Sequence, residues 1–292
     1  MSQTPDRTLF LLVTCSRDAS RRDLALQVCD NLVDRLGALD LLDRLVVFDN
    51  ASTFPEHLDG LPDAVHVCRS DTNLGYWTAI QWVLDHLDQF AFEGMDFIYM
   101  IESDLYHSDF SALHSCEQLL DQHPELSSVR TQEFSVGQRW RYDKRLKFLP
   151  FHKERSHIAL KNAITGEKAW FKRVKDQNGL FISNLHPKLP ALHRIGDLRT
   201  VFEQLRTYDA FAESDFFAEM MKRHELIGVL DGGIFWSLIS WSDRDRVVSG
   251  SYGNAKQLET TGYQATRHSK INDYGAARIS THPSAWRGKA PA

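Results

Sequence analysis

Cysteine is scarce and scattered: Cys15, Cys29, Cys68 and Cys116 include no pair in CxxC spacing. That pattern argues against a thiolate metal knuckle or a disulfide framework, and reduced thiols are expected. No stretch approaches the roughly 20 apolar residues that a bilayer-crossing helix needs. The opening "MSQTPDRTLFLLV" has no charged-then-apolar leader and reads as the approach to a strand. Positive charge is not in surplus, since 34 Lys and Arg face 39 Asp and Glu for a net charge of −5, so no nucleic-acid partner is expected. Glycine is missing where "TCSRDASRRD" follows the first apolar run, which excludes a GxGxxG dinucleotide loop. Internal repeats are absent as well.

What remains is an ordinary globular composition, 42% hydrophobic and 25% charged, in 292 residues, enough for one large domain or two small ones. Apolar runs alternate with helical spacing. "TLFLLVTC" (8–15), "LDRLVVFDN" (42–50), "AVHVCRS" (64–70) and "FIYMI" (97–101) read as strands, and "SSVRTQEFS" (127–135) as a fifth. "RRDLALQVCDNLVDRLG" (21–37), "NLGYWTAIQWVLDHLDQF" and "DFSALHSCEQLLDQH" (109–123) read as helices or loops opening into them. Strands this apolar, separated by helices, predict an α/β fold: a mostly parallel twisted sheet covered on both faces. Ligands in such sheets sit outside the carboxyl ends of the strands. "TCSRD", "FDNAST", "SDTNLG" and "ESDLYH" all fall there and are expected to form the rim of one pocket. Residues 136–180 are rich in Lys, Arg and aromatics, with a hairpin expected at "ITGEK"; they are either a solvated excursion or a substrate-facing insertion. "GLFISNLHP" and "DLRTVFEQL" suggest a further strand and helix, and "ESDFFAEMMKRH" (213–224) a helix opening on two acids, where the helix dipole favours negative charge.

Glu102 and Asp104 stand one residue apart where "FIYMI" ends. On an extended segment both would face one spot, a costly pairing unless a cation lies between them or one is protonated. A hard ion such as Mg²⁺ or Mn²⁺ is held by one or two carboxylates plus substrate phosphates and water. Such an ion favours cleavage of a diphosphate ester by offsetting charge on the leaving phosphate. The plainer reading is a capping Asp beside a surface Glu.

Five pieces, in order over residues 8 to about 230, carry a resemblance. "LFLLVTCSRD", "LVVFDNAST", "DTNLGYWTAIQWVL", "YMIESDL" and "FAESDFFAEMMKRHELIG" resemble the motifs of GT-A-fold glycosyltransferases of the family-two type, such as bacterial rhamnosyltransferase-like enzymes. The resemblance implies inverting transfer of a sugar from a UDP, dTDP or GDP donor to a glycan or glycolipid hydroxyl, with a divalent cation (Mn²⁺ or Mg²⁺). It implies that Asp49 binds the nucleotide base with Ser52 nearby, and that Thr14, Ser16 and Arg17 line the nucleotide pocket. Asn73 and Gly75 would shape the donor loop, Gly75 through a tight turn. Asp104 would ligate the metal, while Glu102, beside Ser103, would contact it, the sugar or a bound water. Glu213 takes the place of the family's base, and Asp215 matches the acid two residues on; both are also good helix N-terminal residues. The chain departs from the pattern at Trp77 and at Thr78-Ala79-Ile80-Gln81, where small or amide residues are usual, and in having Glu102 and Glu213 for Asp.

His107 is either a further ligand or a packing residue. Trp236 or Trp241 would serve as a sugar platform if it is not core. Arg267, His268 and Lys270 would close over a diphosphate as a lid if they are not simply solvated. The expected organisation is a transferase domain over 1–245, with a nucleotide half (1–135) and an acceptor half (136–245), followed by a tail or lid (246–292). A cytoplasmic protein with peripheral membrane contact fits this reading. Two alternatives remain: a non-catalytic nucleotide- or glycan-binding module on a degenerate transferase scaffold, and, more remotely, a sugar nucleotidyltransferase, whose glycine-, arginine- and lysine-bearing loop is missing.

Overall fold

The computed structural model describes residues 4–90, 92, 94–132, 140–142, 157–162, 168–175, 177, 179–232, 234–238, 271, 274–275 and 277–281. Four apolar strands form its nucleus: β1 (Thr8–Thr14), β2 (Leu45–Asn50), β3 (His66–Ser70) and β4 (Phe97–Ile101), hydrogen-bonded in parallel in the order β3-β2-β1-β4. Every residue of β1, β2 and β4 is buried. Successive side chains enter opposite cores, Phe10 and Leu12 on one face, Leu9 and Leu11 on the other, so the strands carry unbroken apolar runs. Each fully buried Leu or Phe contributes about 1.5–3 kcal/mol.

Helices cover both faces. α1 (Ala19–Gly37) and α3 (Leu113–Gln122) pack on one through Val28, Leu32, Leu119 and Leu120. α2 (Tyr76–Asp85), α4 (Ile195–Leu205) and α5 (Glu213–Arg223) pack on the other through Ile80, Val83, Leu198, Phe202, Phe216 and Met220. Asp18 starts α1 by accepting a hydrogen bond from the Arg21 amide at 2.9 Å.

Beyond β4 the sheet turns mixed. β11 (Ala191–Arg194) lies antiparallel between β4 and β6 (Leu126–Arg130), and β12 (Leu226–Leu230) runs parallel to β6. β10 (Leu180–Ser183), β9 (Lys168–Arg173), β8 (His157–Asn162) and β7 (Trp140–Tyr142) extend it as an antiparallel meander. The basic stretch after residue 136 thus supplies edge strands. Trp140, Ala169 and Phe171 pack with Phe181, Ile227 and Val229 into a small third core. Gly228 lies where α3 meets the sheet; a Cβ there would stand 2.8 Å from Leu119 Cδ2 and 2.9 Å from a Val129 methyl.

β5 (Leu105–His107) leaves this sheet and pairs with β13 (Phe235–Ser237) as a separate ribbon. The chain returns late: β14 (Ile279–Ser280) adds antiparallel to β3, and the Asp71 amide donates to the Arg278 carbonyl at 3.1 Å. Ile271 is buried against the α2–α5 face. The expected tail residues Arg267, His268 and Lys270, and Trp241, lie outside the described residues.

Candidate active site

The acid pair sits on a turn. The Leu105 amide donates to the Glu102 carbonyl at 3.3 Å, closing Glu102–Leu105 between β4 and β5. Glu102 and Asp104 are half-buried and Ser103 is exposed. This differs from the extended geometry expected of "IESDL", because β5 must reverse away from the sheet to meet β13. The ribbon holds the turn in place: the Leu238 amide donates to the Asp104 carbonyl at 2.9 Å, and the Ser108 amide to the Ile234 carbonyl at 2.8 Å. His107 belongs to packing. It is fully buried, stacked on Phe110 at 4.9 Å, with Nε2 3.3 Å from the Tyr99 hydroxyl, and burial pushes its pKa down to about 3. Asn31 brackets its backbone, donating to its carbonyl at 2.9 Å and accepting from its amide at 2.7 Å.

At the ends of β1 and β2 the expected nucleotide residues form a buried lock. Asp49 is fully buried; its carboxylate meets Arg69 Nε at 3.2 Å, the Thr14 hydroxyl at 3.4 Å and the Ser52 amide at 3.4 Å. His57, also buried, lies 3.8 Å from Asp49, with its Nε2 2.9 Å from the Thr14 hydroxyl. Burial lowers the His57 pKa despite the pull of Asp49, so a neutral imidazole stands beside the carboxylate at neutral pH. The Ser52 hydroxyl accepts from the Ser16 amide at 2.7 Å, and the Ser16 carbonyl accepts from Thr53 and Phe54 at 2.9 and 3.0 Å. Ala51, left-handed at φ 61°, makes the bend between these contacts. Thr14, Ser16, Asp49 and Ser52 are therefore brought together and face one another, whereas Arg17 is exposed.

The third loop is cross-braced. Asn73 Oδ1 accepts from the Gly75 amide at 2.8 Å and from Asn50 Nδ2 at 3.2 Å, while Asn50 Oδ1 accepts from the Leu74 amide at 2.8 Å. Gly75 has φ 86° and ψ 154°, a conformation glycine adopts without steric cost. The next residue, Tyr76, opens α2. Tyr76 is half-buried; burial first, then the charge of Glu102, then that of Glu213, raises its pKa well above the ordinary phenol value. Glu102, from the end of β4, and Glu213, from the first turn of α5, thus act on one phenol.

α5 is fixed from below. Trp77 lies 4.4 Å from Phe216 and within 6.4 Å of Phe202 and Phe211, so this bulky departure is a core residue joining α2 to α4 and α5. Asp215 caps α5, its carboxylate accepting from the Ala212 amide at 2.8 Å, while Glu213 is exposed on the cleft side. Two residues beyond the end of β6 lies Gln132. Its buried amide has no hydrogen-bond partner among the described residues.

Glu102 and Asp104 are a hard oxygen donor set on a half-buried turn. Carboxylate oxygens are the ligand type that a small divalent ion takes together with phosphate and water. Among the described residues, the group of three side chains able to converge on an ion is elsewhere: Asp6, His114 and Glu117, at the amino end of β1. There Glu117 is engaged by the Thr8 hydroxyl at 2.7 Å and by the Arg7 and Asp6 amides at 3.0 and 3.3 Å, a tether for the start of the sheet. Tyr76, His57, Arg69 and Asn50 escaped the sequence reading. Tyr76 carried one signal, its place directly after a loop glycine. The others meet the site only through pairing of β2 with β3 and the course of the following loops.

No known protein-family profile matches the chain, and no curated protein sequence matches it significantly. Solved structures do. Mannose-1-phosphate geranyltransferase from Thermus thermophilus is 11% identical, with a TM-score of 0.41 over 84% of this chain and 80% of that one. 4-Diphosphocytidyl-2C-methyl-D-erythritol synthase from Anaerococcus prevotii is 10% identical, with a TM-score of 0.44 over 88% and 100%. CMP:2-keto-3-deoxy-manno-octonic acid synthetase complexed with CTP is 9% identical, with a TM-score of 0.45 over 87% and 100%. The chain is similar to these proteins only in its general course, and at this distance no residue role transfers from them.

Proposed function

We propose that the chain is a metal-dependent glycosyltransferase of the GT-A family-two type. It would move a sugar from a UDP, dTDP or GDP donor to a hydroxyl of a glycan or glycolipid, with inversion. The observation that carries this reading is that β4 runs into a half-buried turn bearing Glu102 and Asp104 while Glu213 opens α5, and that after burial the charges of Glu102 and Glu213 both raise the Tyr76 pKa. In the proposed reaction Asp104 and Glu102 would hold a divalent ion, which when bound would supply positive charge beside the departing diphosphate. Glu213 takes the proton of the acceptor hydroxyl. The acceptor oxygen then bonds to the anomeric carbon, and the pair of the breaking carbon–oxygen bond leaves with the diphosphate. Asp215, spent on the helix cap, is less suited to act as base. The buried Asp49 lock would set the floor against which the base lies.

A nucleotidyltransferase reading is weaker on physical grounds. The connection Cys15–Asp18 carries no glycine and runs directly into the cap of α1, tied through Ser16 to Thr53 and Phe54. A non-catalytic module would bind nucleotide without regard to metal. The deciding experiment titrates UDP, GDP and dTDP with and without Mn²⁺, then screens donor hydrolysis across nucleotide sugars for wild type and Asp104→Asn. Expected are metal-enhanced binding and a loss of hydrolysis in the variant of at least about 100-fold. A variant as fast as the parent, or hydrolysis that survives chelation, overturns the reading.

A further inference from the structure

Trp236 is the exposed large hydrophobic side chain among the described residues, with 45% of its surface in water. Trp236 stands on β13 directly opposite Tyr106 of β5, the second residue beyond Asp104. The two rings stack at 4.8 Å with an interplanar angle of 27°. Tyr106 is half-buried and backs the indole, so Trp236 is held with a ring face outward. The ribbon that displays this stack also holds the acid turn, through Leu238 to Asp104.

A single exposed aromatic is ordinary by itself; what sets this one apart is its stack on Tyr106, two residues beyond Asp104. A cross-strand aromatic pair does steady a short ribbon, but that role needs only the inner ring, and a buried pair would serve it better. A flat indole stacked on Tyr106, on the ribbon that is bonded to the acid turn, suits a ligand with one apolar face and a polar rim. A pyranose is such a ligand: its axial C–H groups lie on the ring, and its hydroxyls reach polar groups around it. The place matters as much as the chemistry. The stack adjoins the turn where the donor diphosphate would lie, but stands on the ribbon and not in the Asp49 lock, so it belongs to the incoming sugar. We infer that Trp236, seated on Tyr106, is the platform that binds a pyranose ring of the acceptor. This rests on the glycosyltransferase reading for the word acceptor; the pyranose site itself does not depend on it.

The test uses the full chain labelled at its indole nitrogens. Methyl glucoside, galactoside, mannoside and rhamnoside are titrated with UDP and Mn²⁺ present or absent, and the indole signals are assigned through Trp236→Val, a change that keeps strand propensity. At least one glycoside is expected to shift the Trp236 signal, and Trp236→Val should weaken its binding about tenfold. Trp236→Phe should recover part of the affinity. Nucleotide affinity, measured in parallel, reports whether the ribbon still holds the acid turn. If no glycoside moves the Trp236 signal, or if Trp236→Val binds glycoside as tightly as the parent, the inference is overturned. If glycoside binds at Trp236 while UDP, GDP and dTDP all fail to bind with or without metal, the platform stands and the glycosyltransferase reading falls.

Discussion

Glu213 and Asp215 are two positions apart in one helical turn, yet their surroundings give them separate tasks. Asp215 accepts from the Ala212 amide, so Asp215→Ala should lower unfolding stability by about 1 kcal/mol in urea titrations. Glu213 is exposed and acts on the Tyr76 phenol across the cleft. Glu213→Gln should leave stability within about 0.5 kcal/mol and reduce turnover about 10²- to 10⁴-fold. The reverse pattern, with turnover lost in Asp215→Ala and kept in Glu213→Gln, would exchange the two roles. The sequence "ESD" announces a helix start, which is why both acids were legible as a pair. It cannot say which acid turns back onto the backbone, because that depends on the approach of Ala212. For the same reason Arg69 and His57 went unread: their partner Asp49 reaches them only across the sheet and the loop that follows β2.

At the scale of elements, period and length decided what could be read. β1, β2, β3 and β4 are apolar runs of five to seven residues, and the helices between them carry broad apolar faces, so the parallel nucleus was legible. β5, β7 and β13 are three residues each, too short for any alternation to register, and their pairing is fixed by distant partners. That is why the acid pair was expected on an extended segment and lies on a turn instead. Gly228 shows the same limit. Inside the strand "LIGVL" it reads as a weak point, whereas the fold requires it, since α3 leaves no room for a methyl group. Gly228→Ala should cost about 1–3 kcal/mol through overpacking against Leu119 and Val129. A urea midpoint equal to wild type would show that α3 can shift to admit it.

At the scale of the whole molecule, His107 and His193 join His57 among the described residues in burying a ring without charge. His107 sits among Tyr99, Phe110 and Phe235; His193, on β11, is fully buried near Phe216, its ring nitrogens without partners among the described residues. Burial lowers both pKa values to about 3. Between about pH 6.5 and 3 the unfolded chain binds a proton at each site that the folded chain refuses, so stability falls as pH falls. Each contributes at most about 1.4 kcal/mol per pH unit. His193→Leu should flatten this dependence without loss at neutral pH; an unchanged slope in urea titrations across that range would clear His193 of any part in it. The return of the chain at β14 has a consequence of another kind. A sheet grows at its borders, and here one border is already occupied by the protein's own late segment, beside the strand that carries Arg69. Among the described residues the outermost strand at the opposite border is β7. Among the described residues the two borders are therefore strands of two and three residues, β14 and β7, and edges this short give little template for self-association by strand addition.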